Sequence, residues 1–107
     1  EDGIRDDLVT GVQTCALPIC EVGQELAKLK IKQGFEVWIV TARRPDQSKS
    51  VLEVAKSLNI PESRIVFTSG RDKWKFIEEF DIGLHYDNNE EQINKIKEFT
   101  DANARLI

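Results

Sequence analysis

Three short stretches of this 107-residue chain carry side chains that together could handle a phosphate group. Thr41-Ala42-Arg43 offers a hydroxyl and a guanidinium. Thr68-Ser69-Gly70, with Lys73 just beyond, offers hydroxyls and an ammonium. Asp87-Asn88-Asn89, followed by Glu91, offers carboxylates and amides. A hydroxyl donates to a phosphoryl oxygen, a lysine offsets its charge, and a carboxylate is a hard oxygen ligand suited to Mg²⁺. No one of these groups is specific by itself. What they share is placement, because each stretch follows a short apolar run.

Those runs read as buried strands. Phe35–Val40 is almost wholly apolar, Arg64–Phe67 and Ile82–Tyr86 are shorter versions, and Ala104–Ile107 makes a last short strand. Continuous apolar runs of this length suit strands covered on both faces, as in parallel sheets. Between them lie helical patterns. Val22, Leu26 and Leu29 recur at helical spacing until Gly34 supplies a stop. Pro45 and Asp46 open a second helix with Val51, Leu52, Ala55 and Leu58 on its inner face, ended by Asn59-Ile60-Pro61. A third follows Asp72 and buries Phe76, Ile77 and Phe80. A fourth starts at Asn89, with Gln92 three residues on as a capping-box variant, and runs through Ile93, Ile96 and Phe99. The order from Cys20 onward is α-β-α-β-α-β-α-β with no hairpin signal. This predicts a Rossmann-like three-layer α/β/α arrangement with right-handed crossovers and a parallel sheet. In such sheets ligands bind at the carboxyl ends of the strands, where all three polar stretches fall.

Bulk properties exclude several classes. The chain is 40% hydrophobic and 32% charged, the balance of an ordinary globular protein with room for one small domain. No run approaches the roughly 20 apolar residues that span a bilayer, and no secretory pattern is visible. A net charge of −4 with interspersed signs gives nucleic-acid binding no electrostatic support. Cys15 and Cys20 make neither a disulfide framework nor a metal-ligand spacing, which fits a reducing cytoplasm.

Glu1–Ile19 reads unlike the rest. It has no sustained periodicity and joins abruptly to the first helix. It resembles the conceptual translation of a sequencing-library adapter: Glu1–Asp6 matches one part, Asp7–Leu8 falls where a variable barcode sits, and Val9–Ile19 matches the remainder. Cys20 is then a junction residue. On that reading residues 1–19 are set aside from the fold. They hold Glu1, Asp2, Asp6, Asp7 and Arg5, so the remainder has 15 acids and 14 bases.

Residues 20–107 resemble part of a phosphatase domain of the haloacid dehalogenase (HAD) superfamily. Val40-Thr41-Ala42-Arg43 is similar to its second motif, a hydrophobic strand ending in Thr or Ser. Lys73 is similar to the third, although Lys75 competes for that role. Leu84-His85-Tyr86-Asp87-Asn88-Asn89 resembles the fourth, an apolar strand ending in an acidic metal-binding cluster. The resemblance implies a Mg²⁺-dependent phosphomonoester hydrolase working through an aspartyl-phosphate. It implies Thr41 and Lys73 as catalytic groups; Thr41, Ala42, Arg43 and Lys73 around substrate; and Asp87, with Asn88 and Glu91, around the metal. Substrates remain open between small phosphomonoesters and polynucleotide ends.

Two departures stand out. Many members pair two acids in the fourth motif, where Asn88 follows Asp87 here. The first motif, a strand ending in Asp-x-Asp, is expected before Cys20 and is not found there; Asp2, Asp6 and Asp7 follow no apolar strand. In the family that strand is central, between the strands that precede Thr41 and Asp87. Its loss predicts an incomplete sheet, marginal stability and no activity. A non-catalytic binding module, or a phosphoacceptor receiver-like domain, is the competing reading. His85, Trp38 and Trp74 are expected to pack rather than react.

Overall fold

The alternation of apolar runs and helical patterns is realised strand by strand. A computed structural model describes residues 13–107, and the adapter-like reading of Glu1–Val12 lies outside them. The elements are β1 (Thr14–Leu17), α1 (Glu21–Lys32), β2 (Glu36–Thr41), a 3₁₀ turn (Pro45–Gln47), α2 (Lys49–Ser57), a second 3₁₀ turn (Glu62–Arg64), β3 (Ile65–Phe67), α3 (Trp74–Glu79), β4 (Leu84–Asp87), α4 (Glu90–Phe99) and β5 (Asn103–Leu106). All four strand pairings are parallel, in the order β3-β2-β1-β4-β5. Strand alternation sends Cys15, Leu17, Val37 and Ile39 to one face, with Ala27, Val51 and Ala55 of α1 and α2. Ala16, Val40 and Val66 point to the other, with Ile77, Ile93 and Ile96 of α3 and α4. The result is the expected three-layer α/β/α sandwich.

The expectation that the sheet lacks its central strand is corrected. Thr14–Leu17 fills that position, pairing with β2 from Thr14↔Glu36 to Leu17↔Ile39 and with β4 at Cys15↔Leu84 and Ala16↔His85. Cys15, Ala16 and Leu17 are fully buried. Pro18 argues against a central strand only if it lies within one, since proline cannot donate to a ladder. It lies one residue past the end of β1, where no ladder bond is needed.

The buried face of α1 also differs from the one expected. Gly23 and Ala27 are buried, whereas Val22 and Leu29 are 56% and 48% exposed. The cause is closeness: a Cβ added at Gly23 would stand 2.2 Å from the Pro18 carbonyl oxygen. The helix therefore turns its small residues toward the strand exit, and its larger ones stay outside. In α3, Ile77 is buried as expected, but Phe80 is part-exposed, its ring 5.1 Å from that of Trp38.

Three helices end alike and hand the chain to the next segment. Gly34, Asn59 and Asp81 take positive φ. The following amides of Phe35, Ile60 and Ile82 donate back to Lys30, Ala55 and Ile77. This is the Schellman arrangement, which satisfies carbonyls the helix leaves unpaired.

If β1 is the packed central strand, Leu17→Ala lowers unfolding free energy by about 2–5 kcal/mol, read from urea denaturation. A cost below about 0.5 kcal/mol, the range of ordinary surface substitutions, would show that β1 is not packed there.

Candidate functional site

Parallel strands bring their carboxyl ends to one rim, and the order β3-β2-β1-β4-β5 places a topological switch between β1 and β4. In doubly wound sheets this is where ligands bind. A cleft of ≈ 330 Å³ opens there, lined by Pro18, Ile19, Cys20, Val40, Thr41, Ala42, Arg43, Lys73 and Asn88. Thr41, Ala42, Arg43, Lys73 and Asn88 were expected at the site from sequence, and the fold brings them to one wall system.

The loops behind this wall are laced together. Thr68 N donates to Thr41 O at 2.8 Å, Gly70 N to Ala42 O at 2.9 Å and Ser69 N to Arg43 O at 3.2 Å. Positive φ at Ser69 and Gly70 allows the tight reversal this requires. Thr41 is the last residue of β2, and its Oγ1 accepts from Arg43 N at 3.3 Å. Arg43 is exposed and its Nη1 meets Ser50 Oγ. Thr68, by contrast, is fully buried with its hydroxyl unpartnered among the described residues, so the second loop serves the cleft through backbone and Lys73.

Lys73 caps the start of α3 and is almost wholly buried. Its Nζ donates to Asp87 Oδ2 at 2.7 Å, and its backbone N to Gln92 Oε1 at 2.9 Å. Lys75 is exposed, its ammonium over the Trp74 ring, so Lys73 and not Lys75 is the lysine at the carboxylate. Asp87 is 1% exposed. His85 Nε2 lies 3.1 Å from the same Oδ2, and Asn89 N donates to Oδ1 at 3.1 Å. Burial pushes the Asp87 carboxyl upward, but the His85 hydrogen bond together with the charge and hydrogen bond of Lys73 outweighs it, bringing the pKa from 3.8 to about 2. Burial pushes His85 below its usual value, only partly opposed by Asp87.

Two expectations fare differently. Asn89 caps α4 as foreseen, its Oδ1 accepting from Glu91 N and Gln92 N. Gln92 does not reach back to complete the capping box; it is drawn to Lys73 N and to Asp72. Glu91 sits with its carboxylate 3.3 Å from Lys95 Nζ, one turn along α4. The structure thus engages Glu91 with Lys95 rather than with Asp87. His85 and Gln92 were missed as site residues. His85 had a readable signal, since residues two apart on a strand share a face; Gln92 had none.

The fit to Mg²⁺ is incomplete. Magnesium takes six oxygen ligands in near-octahedral geometry. Of Asp87's lone pairs, those of Oδ2 face Lys73 and His85 and one of Oδ1 faces Asn89. No group of three His, Cys, Asp or Glu among the described residues is arranged to hold a metal. The residues present do not by themselves make a magnesium centre.

Continuing the β1–β4 register past Ala16↔His85 sets Pro18 level with Asp87. Pro18, Ile19 and Cys20 follow the end of β1 and line the cleft.

No family model, curated protein or solved structure matches this chain. Among the described residues no helix is long and apolar enough to cross a membrane.

Breaking the buried pair one-sidedly is the costly change. Asp87→Ala, which strands Lys73, is expected to cost about 3–5 kcal/mol, while Lys73→Met with Asp87→Leu costs far less. The folded pKa values of Asp87 and His85 are both depressed, so stability is highest above their unfolded values and is lost on acidification. The urea midpoint should begin to fall below pH 6.5, as His85 is charged in the unfolded chain, and fall again from 3.8 down to about 2 as Asp87 is protonated. In the double variant the second fall should be shallower, keeping only what Asp72, also held low by its hydrogen bond from Lys95, contributes. A second fall of undiminished size there would assign the acid transition to carboxylates other than Asp87.

Proposed function

We propose that residues 20–107 carry the phosphate-binding part of a HAD-type phosphomonoester hydrolase, and that the chain with Pro18 and Cys20 at the end of β1 binds phosphate without turning it over. The observation that supports this most is the convergence of Thr41, Arg43, Lys73 and Asn88 on one cleft at the strand ends, with Asp87 directly behind Lys73.

In the intact parent the chemistry would be displacement at phosphorus by the first Asp of an Asp-x-Asp strand. The second Asp protonates the leaving oxygen, and water then hydrolyses the acyl phosphate. Thr41 would donate to a phosphoryl oxygen, and Lys73 would hold positive charge beside it while fixing Asp87. Arg43, exposed at the rim, would bind an outer oxygen of the phosphate or another anionic group of the substrate. Mg²⁺ belongs to this reading for the parent alone. The cleft opens to solvent without a large insertion between β3 and β4, which is compatible with small phosphomonoesters and with polynucleotide ends.

For the chain itself, the competing reading of a non-catalytic binding module draws support from Pro18 and Cys20, neither of which can form the acyl phosphate.

The deciding experiment is gain of function. Pro18→Asp with Cys20→Asp is expected to give Mg²⁺-dependent hydrolysis of p-nitrophenyl phosphate, while the parent sequence stays at the level of its Thr41→Ala variant. In the gain-of-function background Thr41→Ala should lower kcat by about 10²-fold, the usual cost of losing one preorganised donor. A folded double-Asp variant with neither turnover nor a phosphoenzyme would contradict the phosphatase reading.

A further inference from the structure

The lining of the cleft differs in sign from what a metal-assisted site needs. Two basic residues, Arg43 and Lys73, line it together with Thr41 and Asn88, and none of the described residues that line it is acidic. Asp87 is not among them. It is buried behind Lys73, with Lys73, His85 and Asn89 on its oxygens. A divalent cation entering this cleft meets ammonium and guanidinium groups first. An anion meets the charge that attracts it, in a concave, partly desolvated setting where the field is stronger than in water.

Lys73 is built for such a role. Its ammonium carries three donors, and Asp87 Oδ2 takes one. Its backbone is fixed by Gln92 and its side chain is held by Asp87, so an ammonium with two donors that Asp87 does not take has little freedom to lose on binding. Arg43 adds a planar, permanently charged fork at the rim, suited to two oxygens of one oxyanion.

We infer that the strand-end cleft of this chain binds a phosphate-type oxyanion without a metal ion, with Lys73 standing where a cation would and Asp87 acting as the counter-charge that holds Lys73 in place. The inference rests on the phosphate-site reading proposed above and departs from it on the metal requirement. Lys73 is here a ligand-binding residue, and Asp87 a positioning residue that does not touch the ligand.

The test is titration of the full 107-residue chain with inorganic phosphate, followed by amide chemical-shift changes, once in EDTA and once in MgCl₂. Binding with the same affinity within about twofold in both, with shifts centred on Thr41–Arg43, Lys73 and Asn88, is expected. Arg43→Gln, an exposed change that leaves the core alone, should weaken it by about tenfold, as loss of a charge-assisted contact does. Binding seen only with Mg²⁺ would overturn the metal-independent inference while keeping the phosphate site. Absence of binding in both conditions, in a chain whose spectrum shows it folded, would overturn the phosphate site and the inference together. Shifts centred elsewhere, or an unchanged affinity in Arg43→Gln, would overturn the assignment of the cleft.

Discussion

The contact between Lys73 Nζ and Asp87 Oδ2 organises the strand-end rim of this molecule. It joins the start of α3 to the end of β4, two segments that approach each other only because the sheet is parallel and its strands finish at one rim. Both charges are nearly removed from solvent, so each would be costly alone. Asp87 is held ionised by His85 and Lys73, and Lys73 is held in place by Asp87 and, through its backbone, by Gln92. The same contact commits the Asp87 carboxylate inward, and Lys73 rather than Asp87 is among the residues that line the cleft.

Around that pair the backbone supplies rigidity without further charge. The loops after β2 and β3 are tied by three amide-to-carbonyl bonds, so Thr41 and Arg43 are carried on a double-thickness edge rather than on a free loop. On the other side Pro18 follows the end of β1 directly under α1, where Gly23 permits an approach that any side chain would block. The switch point between β1 and β4 is thereby backed by packed strands. A small open cleft with fixed donors is the consequence.

Much of this was legible in the residues. The apolar runs before Thr41 and Asp87 identify two strands and the polar residues at their ends. Gly34 marks the end of α1, and Asn89 marks the start of α4. Three features were not legible, each for a physical reason. Thr14–Leu17 is only four residues long and is followed by proline, so neither its length nor its flank signals a central strand; its burial comes entirely from neighbours on both sides. The inner face of α1 is made by Gly23 and Ala27, because hydrophobic periodicity weighs Val22 and Leu29 more heavily than the steric need for small residues. Glu91 is near Asp87 in sequence, yet an i,i+4 partner at Lys95 is closer to hand on the helix surface.

The central claim is that the strand-end cleft receives a phosphate-type oxyanion on Thr41, Arg43 and Lys73 while Asp87 remains behind Lys73. A crystal structure of the chain grown with tungstate tests it most directly, because the heavy anion is unmistakable in density. Tungstate is expected in the cleft within hydrogen-bond distance of Thr41 Oγ1 and Lys73 Nζ, with the Lys73–Asp87 contact intact. Tungstate bound elsewhere with the cleft empty, or Asp87 turned outward into the cleft, would contradict it.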